Sequence, residues 1–215
     1  MARHELSEGT RASLVEAAIH EFAAHGFDGA STRAIAARAG VHQPQINYHF
    51  DSKLDLWRAA LDHLFDELGA AIADAIADTH DDLDVLRRSI RTIVRESARR
   101  PELNRMMVKE SSVRSERLTW LTEHHVRGWF DTHVALWDRL RDADLVADID
   151  ALTAFYILLG GSTLLYSNSP EARLLSGEDP MHHDRIEAHA DAMVTMLTRA
   201  EPVGTARRTT RRTSR

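Results

Sequence analysis

Thr32-Arg33-Ala34-Ile35-Ala36-Ala37-Arg38-Ala39-Gly40-Val41-His42-Gln43-Pro44-Gln45-Ile46-Asn47 is the stretch on which the reading of this sequence turns. With Thr32 as the first position, Ala36 is the fifth, Gly40 the ninth and Ile46 the fifteenth. That is the spacing of two short helices joined by a tight turn. The fifth position must be small because the helices cross there at close range. Gly40 suits a turn residue with positive φ, a conformation other residues adopt only at a cost. Ile35, Val41 and Ile46 form the small core that fixes the angle between the helices. Such a helix-turn-helix holds its second helix in a DNA major groove.

The exposed face of that second helix carries His42, Gln43, Gln45 and Asn47, all hydrogen-bonding side chains, and Pro44 gives it a rigid first turn. Gln and Asn pair bidentately with adenine edges in the major groove. Tyr48, His49 and Lys53 follow, with donors suited to phosphate oxygens, and Thr32 and Arg33 open the preceding helix, whose amide end favours a phosphate. The plain alternative is a helical corner with a solvated face.

Outward from this motif the chain reads as helical throughout. Alternating Val/Ile/Thr runs and Asn-Gly or Asp-Gly hairpins are absent. Helices are expected over about 7–25, 31–39, 42–49, 53–79, 82–99, 102–112, 115–143, 148–168 and 182–200. Gly26 stops the first. Ser31 and Ser52 are expected N-caps, Asp55 completes a box-like start after Ser52, Asp148 caps the helix at 148–168, and Pro101 suits a first turn.

Residues 11–60 hold five Arg/Lys and five Asp/Glu, whereas residues 61–200 hold 16 against 25. The segment 201–215 holds five arginines and one glutamate. An acidic body repels nucleic acid, so DNA should meet the N-terminal segment or the basic tail. Arg207, Arg208, Arg211, Arg212 and Arg215 either add nonspecific phosphate attraction or form an inert end, and the tail is expected to be disordered. With no cysteine, disulfides, thiolate metal sites and cysteine nucleophiles are excluded, which fits a reducing cytoplasm. The apolar run from Ala151 to Tyr166 falls short of the roughly 20 residues of a membrane span, so no membrane partner is expected.

Gly26-Phe27-Asp28-Gly29-Ala30-Ser31-Thr32-Arg33-Ala34-Ile35-Ala36, Ala39-Gly40-Val41 and Asn47-Tyr48-His49-Phe50 with Ser52-Lys53 resemble the N-terminal domain of TetR-family regulators over residues 10–60. The resemblance implies an all-α fold of about nine helices: a helix-turn-helix domain over 1–52, a helical effector-binding and dimerisation domain over 53–200, and the tail 201–215. It further implies a homodimer formed by the last two long helices and a palindromic operator in double-stranded DNA. A small-molecule effector would change DNA affinity, most simply by releasing a repressor. By position it implies phosphate contacts from Thr32, Tyr48, His49 and Lys53, and base contacts from Gln43, Gln45 and Asn47. His42 departs from the family's small capping hydroxyl.

The C-terminal segment is less specific. Leu152, Phe155, Tyr156, Leu158, Leu159, Leu164 and Leu165 make the helix at 148–168 apolar almost all round, so it should be buried. Gly160, Gly161 and Ser162 permit close backbone approach or mark a kink. Ile186, His189, Ala190, Met193, Val194 and Leu197 form one stripe. A pocket for a flat or lipophilic effector wants adaptable Met, aromatic walls and a polar anchor. Met106, Met107, Glu110, Trp120, Leu121, His124, Trp129, Phe130, Tyr156 and Tyr166 are the candidates, although aromatic and Met stripes at helical spacing are commonly core. His124-His125 and His182-His183 do not chelate alone, because adjacent helical residues diverge, and no His-Glu-x-x-His signature occurs; no metal and no cofactor is expected. Gly-rich phosphate loops, nucleophile elbows and framed carboxylate pairs are likewise missing, so no enzyme is expected. The competing reading is a DNA-binding regulator without a small-molecule effector, controlled by a protein partner or by abundance.

Overall fold

The computed structural model describes residues 2–199, and side chains from residue 8 onward. The tail 201–215 lies outside the described residues. Among those residues the regular structure is helical, with one isolated antiparallel bridge between Val146 and Thr198. The order is α1 (Ala2–Gly29), α2 (Thr32–Arg38), α3 (Pro44–His49), α4 (Lys53–Ile76), α5 (Asp82–Arg99), α6 (Pro101–Ser111), α7 (Glu116–Leu121), a π turn (Thr122–Val126), α8 (Arg127–Asp142), α9 (Ala151–Ser167), α10 (Ser169–Ser176) and α11 (His183–Leu197).

Five helix starts are set by a short side chain that accepts one of the orphan amides of the first turn. Ser31 accepts from Ala34 N–H, Ser52 from Asp55, Asp81 from Asp84, Ser115 from Leu118 and Asp150 from Thr153. The cap of α9 is therefore Asp150 and not Asp148. Asp150 also accepts the Thr153 hydroxyl at 2.6 Å, which fixes the start at Ala151. Gly26 interrupts α1 where the sequence places its stop, with the non-helical φ 70° and ψ 177°, and a further turn follows to Gly29. The segment expected at 115–143 is broken by the π turn. The short helix α10 was not foreseen; Pro170 starts it and Gly177, with φ 72°, stops it.

Two apolar cores organise these helices. The first joins Leu14, Ala18 and Phe22 of α1, Ile35 and Ala36 of α2, Ile46 of α3 and Leu56, Trp57 and Leu61 of α4. It continues into Met106 of α6 and Leu121 of α7, so packing is continuous across residue 52. The second joins Leu83, Ile90 and Val94 of α5, Trp137 and Leu140 of α8, Leu158 and Tyr166 of α9, and Met193 and Leu197 of α11. Ion pairs Arg91–Asp191 and Arg95–Glu187 tie α5 to α11, the latter bidentate at 2.7 and 2.5 Å. Gly161 lets α9 approach α11: a Cβ there would lie 2.7 Å from the Met193 Cε. The helix α9 is not fully buried in the single chain. Leu152, Tyr156, Ile157 and Leu164 are exposed, as are Leu174 and Leu175 of α10 and Met196 of α11.

Where α1 meets α4 and α6, polar contacts add to the apolar packing of the first core. Arg100, between α5 and α6, donates to Glu16 of α1 at 2.8 and 3.0 Å and to Glu67 of α4 at 2.9 Å. His63 Nε2 stands 3.1 Å from the same Glu16 carboxylate. The Arg100 guanidinium holds the Glu16 carboxyl below its usual range. Partial burial pushes Glu67 up, but Arg100 and Arg99 outweigh it and hold that carboxyl low as well. A carboxylate whose folded pKa is depressed stabilises the fold above its unfolded value and loses that contribution as pH falls through the folded one. Arg100→Leu removes the guanidinium that the two carboxylates share and leaves them only His63 and Arg99, which should cost about 1–3 kcal/mol at pH 7. Urea denaturation of both proteins checks this: the gap should narrow below about pH 4.5 as the carboxylates protonate. An equal gap at pH 7 and pH 3.5 would mean that Arg100 acts by packing.

Candidate functional site

The turn between α2 and α3 is built as its spacing requires. Gly40 has φ 70°, and Val41 N–H returns to the Ala36 carbonyl at 3.0 Å. Ile35, Ala36 and Ile46 are buried, with Val41 and Ala39 partly buried against them. This small core sits on α1 and α4, so α3 is carried by the first core and not by its own six residues.

The outer face of α3 is solvent-facing. His42, Gln43, Pro44, Gln45 and Asn47 are exposed, Tyr48 is 78 % exposed, and His49 is half-buried with its ring edge-on to Tyr48. Arg33 is exposed at the start of α2, and Thr32 is half-buried beside it. Lys53 opens α4, with its ammonium 5.0 Å from the Phe27 ring centroid and 3.4 Å from the Asp28 carbonyl. The residues expected at DNA are thus contributed by α2, α3 and the start of α4. One differs in its employment: Gln45 Oε1 accepts the His42 backbone N–H at 3.1 Å.

The residues proposed for an effector separate into groups. Met106 and Leu121 are fully buried in the first core, with Met107 and Trp120 packed against it. Trp120 stacks on His124, and His124 Nδ1 lies 2.8 Å from the Trp120 carbonyl oxygen. Glu110 is buried and accepts from Arg117 at 3.0 Å. Tyr166 is buried, 2.9 Å from His189 Nδ1; burial pushes its phenol up to about 12 and the His189 imidazole down. Tyr156 faces outward at 67 % exposure. Trp129 and Phe130 stand apart from these: Trp129 is edge-on to Phe65 of α4, and Phe130 edge-on to Phe155 of α9.

Two buried polar groups escaped the sequence reading. His133 is one turn from Phe130, with its ring beside Phe155 and Trp137. Burial lowers its pKa, and its Nε2 is buried without a hydrogen-bond partner among the described residues. Ser162 of α9 is fully buried, and its Oγ is likewise unpartnered. The spacing Phe130–His133–Trp137 on one face of a helix was the available signal for His133; the isolation of the Ser162 hydroxyl emerges only on folding. Among the described residues, no group of three or more His, Asp or Glu side chains is arranged to hold a metal ion. No described helix is long and apolar enough to cross a membrane.

Residues 14–60 match the family described as "Bacterial regulatory proteins, tetR family". Among curated proteins the chain is 36 % identical over 80 residues to the HTH-type transcriptional activator FasR of Mycolicibacterium smegmatis, covering 37 % of this chain and 36 % of that protein. It is 28 % identical over 109 residues to the HTH-type transcriptional repressor NicS of Pseudomonas putida, covering 51 % of each. The chain thus spans between about a third and a half of these relatives' lengths. The fold is shared with AibR, solved in complex with isovaleryl coenzyme A and operator DNA, at TM-score 0.72 and 18 % identity over 87 % of this chain and 97 % of that one. It is shared too with the ketosteroid transcriptional regulator KstR2 of Mycobacterium tuberculosis, at TM-score 0.68 and 16 % identity over 88 % and 95 %.

A Cβ at Gly40 meets nothing within 4 Å, so any penalty there is one of backbone conformation alone. Gly40→Val should cost about 1–2 kcal/mol, and Gly40→Asn clearly less, because Asn tolerates the left-handed region. Thermal denaturation of the two variants checks this; equal losses would place the cost in packing instead.

Proposed function

We propose that this chain, whose residues 14–60 match the tetR family of bacterial regulatory proteins, is a homodimeric, ligand-responsive regulator of transcription acting in the cytoplasm. The observation that carries the reading is α3 itself: a helix locked by Gly40, Ile35 and Ile46, with its amide-bearing face wholly open. Gln43 and Asn47 are the base readers, and Thr32, Arg33, Tyr48, His49 and Lys53 supply donors for the flanking phosphates. His42, Pro44 and Gln45 complete the outer surface of the same unit.

Two copies pair through α9 and α11. The exposed Leu152, Tyr156, Leu164 and Met196 support this, since apolar side chains of that size are left in water by a lone chain and covered in a dimer. A dimer reads two half-sites about 34 Å apart. The effector sits where α8 faces α9 and α4, against Trp129, Phe130 and Phe155. His133 Nε2 and Ser162 Oγ are the polar anchors, each buried with unspent hydrogen-bonding capacity. Such a site suits a lipophilic molecule with a polar head. A ligand that prefers another separation of the two N-terminal domains drains the DNA-competent population, so the protein acts as a repressor released by its effector. The unbroken α4, from Lys53 at the DNA face to Ile76, is the lever.

The second reading is a regulator controlled by a protein partner or by abundance. It is favoured by Met106, Leu121 and Trp120, which fill the first core themselves. Selection of random duplexes at near-physiological salt tests the main reading. It should return a palindrome, and Asn47→Ala should relax the preference at one base pair in each half-site, by about 1–3 kcal/mol. Absence of any enrichment, also after unfolding and refolding to strip ligand, would end the DNA-binding reading. A lipophilic acid library should then raise the melting temperature and release the operator in the wild type but not in His133→Leu. Melting and operator affinity both insensitive to every member would favour the second reading.

A further inference from the structure

The helix that faces DNA is held at its N-terminus differently from its neighbours. Helices α2, α4, α5, α7 and α9 are each capped forward by Ser or Asp at the residue before the helix. Ahead of α3, Gln43 makes no side-chain capping bond. Pro44 brings no N–H, and the Gln45 N–H is satisfied by the His42 carbonyl at 2.9 Å. The orphan donor of this turn that finds a side chain is the His42 N–H, and it finds Gln45 Oε1 at 3.1 Å. Gln43 already has helical φ/ψ (−50°, −38°), so the box counts from His42, and this is its backward half without the forward half, because His42 offers no short hydroxyl.

We propose that Gln45 is a positioning residue: it caps the recognition helix from inside and sets the pose of α3, and it does not read a base. This rests on the DNA-binding reading and changes the role that sequence spacing gave Gln45. The physical reason is competition for one atom. A Gln that pairs bidentately with adenine needs its carbonyl oxygen for the base N6–H and its amide for N7. Gln45 has committed that oxygen to the His42 N–H, and engaging adenine would release the cap of a helix only six residues long. Gln43 is under no such commitment, and Asn47 lies one turn deeper on the exposed face.

Four proteins separate the two roles: wild type, Gln45→Ala, His42→Ser and His42→Ser/Gln45→Ala. Each is titrated against the selected operator and all its single-base-pair variants, and amide exchange at residue 42 is followed without DNA. Gln45→Ala should weaken binding to every duplex alike, about fivefold, the equivalent of one lost cap, with the ranking of variants unchanged. Its His42 amide should exchange severalfold faster. The double variant should recover to within about twofold of His42→Ser, because a serine hydroxyl takes the Gln45 N–H over from the carbonyl of residue 42, caps forward and makes the Gln45 side chain dispensable. The inference is overturned if Gln45→Ala flattens the preference at one base pair and His42→Ser does not rescue it, or if amide exchange at His42 is unchanged. Failure of the wild type to select any operator would sink the DNA-binding reading instead, while the exchange measurement still decides the cap.

Discussion

Arg100 is the tie on which the arrangement of the molecule depends. It sits between α5 and α6, yet its donors serve Glu16 on α1 and Glu67 on α4. A guanidinium presents five donors in a fixed fork and so engages two carboxylates at once; a lysine ammonium has no such geometry. The helix-turn-helix rests on α1, so this side chain, together with the first core, holds α3 against the rest of the protein. Two further contacts keep α1 in register with the body. Lys109 of α6 donates to the Ala24 carbonyl at 2.7 Å, and Arg117 lies 4.2 Å from the Phe27 ring centroid while pairing with the buried Glu110. The attachment is polar where the cores are apolar. It therefore fixes direction, because hydrogen bonds are angular and hydrophobic contact is not.

The second core has the opposite character. Trp137, Leu158, Met193 and Leu197 interdigitate, and polar groups enter mainly in pairs such as Tyr166 with His189. His133 and Ser162 break that rule, each with a buried polar atom that has no partner among the described residues. Burying such an atom without a hydrogen bond costs free energy. For His133 that cost falls beside the aromatic rings of Phe155 and Trp137.

How much of this could be read from sequence follows from the range of the interactions involved. The helix-turn-helix was legible because its determinants lie within sixteen consecutive residues: a small Ala36, a positive-φ Gly40 and apolar residues at 35, 41 and 46. The caps at Ser31 and Ser52 were legible for the same reason. Asp150 was missed in favour of Asp148 because either acid suits a helix start, and the choice is made by Thr153, which offers both an amide and a hydroxyl. The Met and aromatic residues of the middle helices could not be sorted at all. Periodicity states which side of a helix is apolar, not whether a core or a ligand faces it. Hence Met106, Leu121 and Trp120 went to the first core, and Tyr156 to the outside. Gln45 illustrates the limit best: its type and position fit base reading, and only its partner atom points to a cap.

The π turn at Thr122–Val126 has a consequence for how one long rod serves two masters. Leu121, before the turn, belongs to the first core, whereas Trp137 and Leu140, after it, belong to the second. A regular helix advances about 100° per residue, and a π turn holds one residue more than an α turn. The extra residue is therefore a phase correction: it re-indexes the apolar stripe of α8 against that of α7 so that both meet a core. It also brings His125 round to Asp62 of α4, at 2.9 Å. Loss of a single residue here would leave the rod helical and swing Trp137 about 100° away from its core. The length of this segment, more than its composition, is what joins the two halves of the protein.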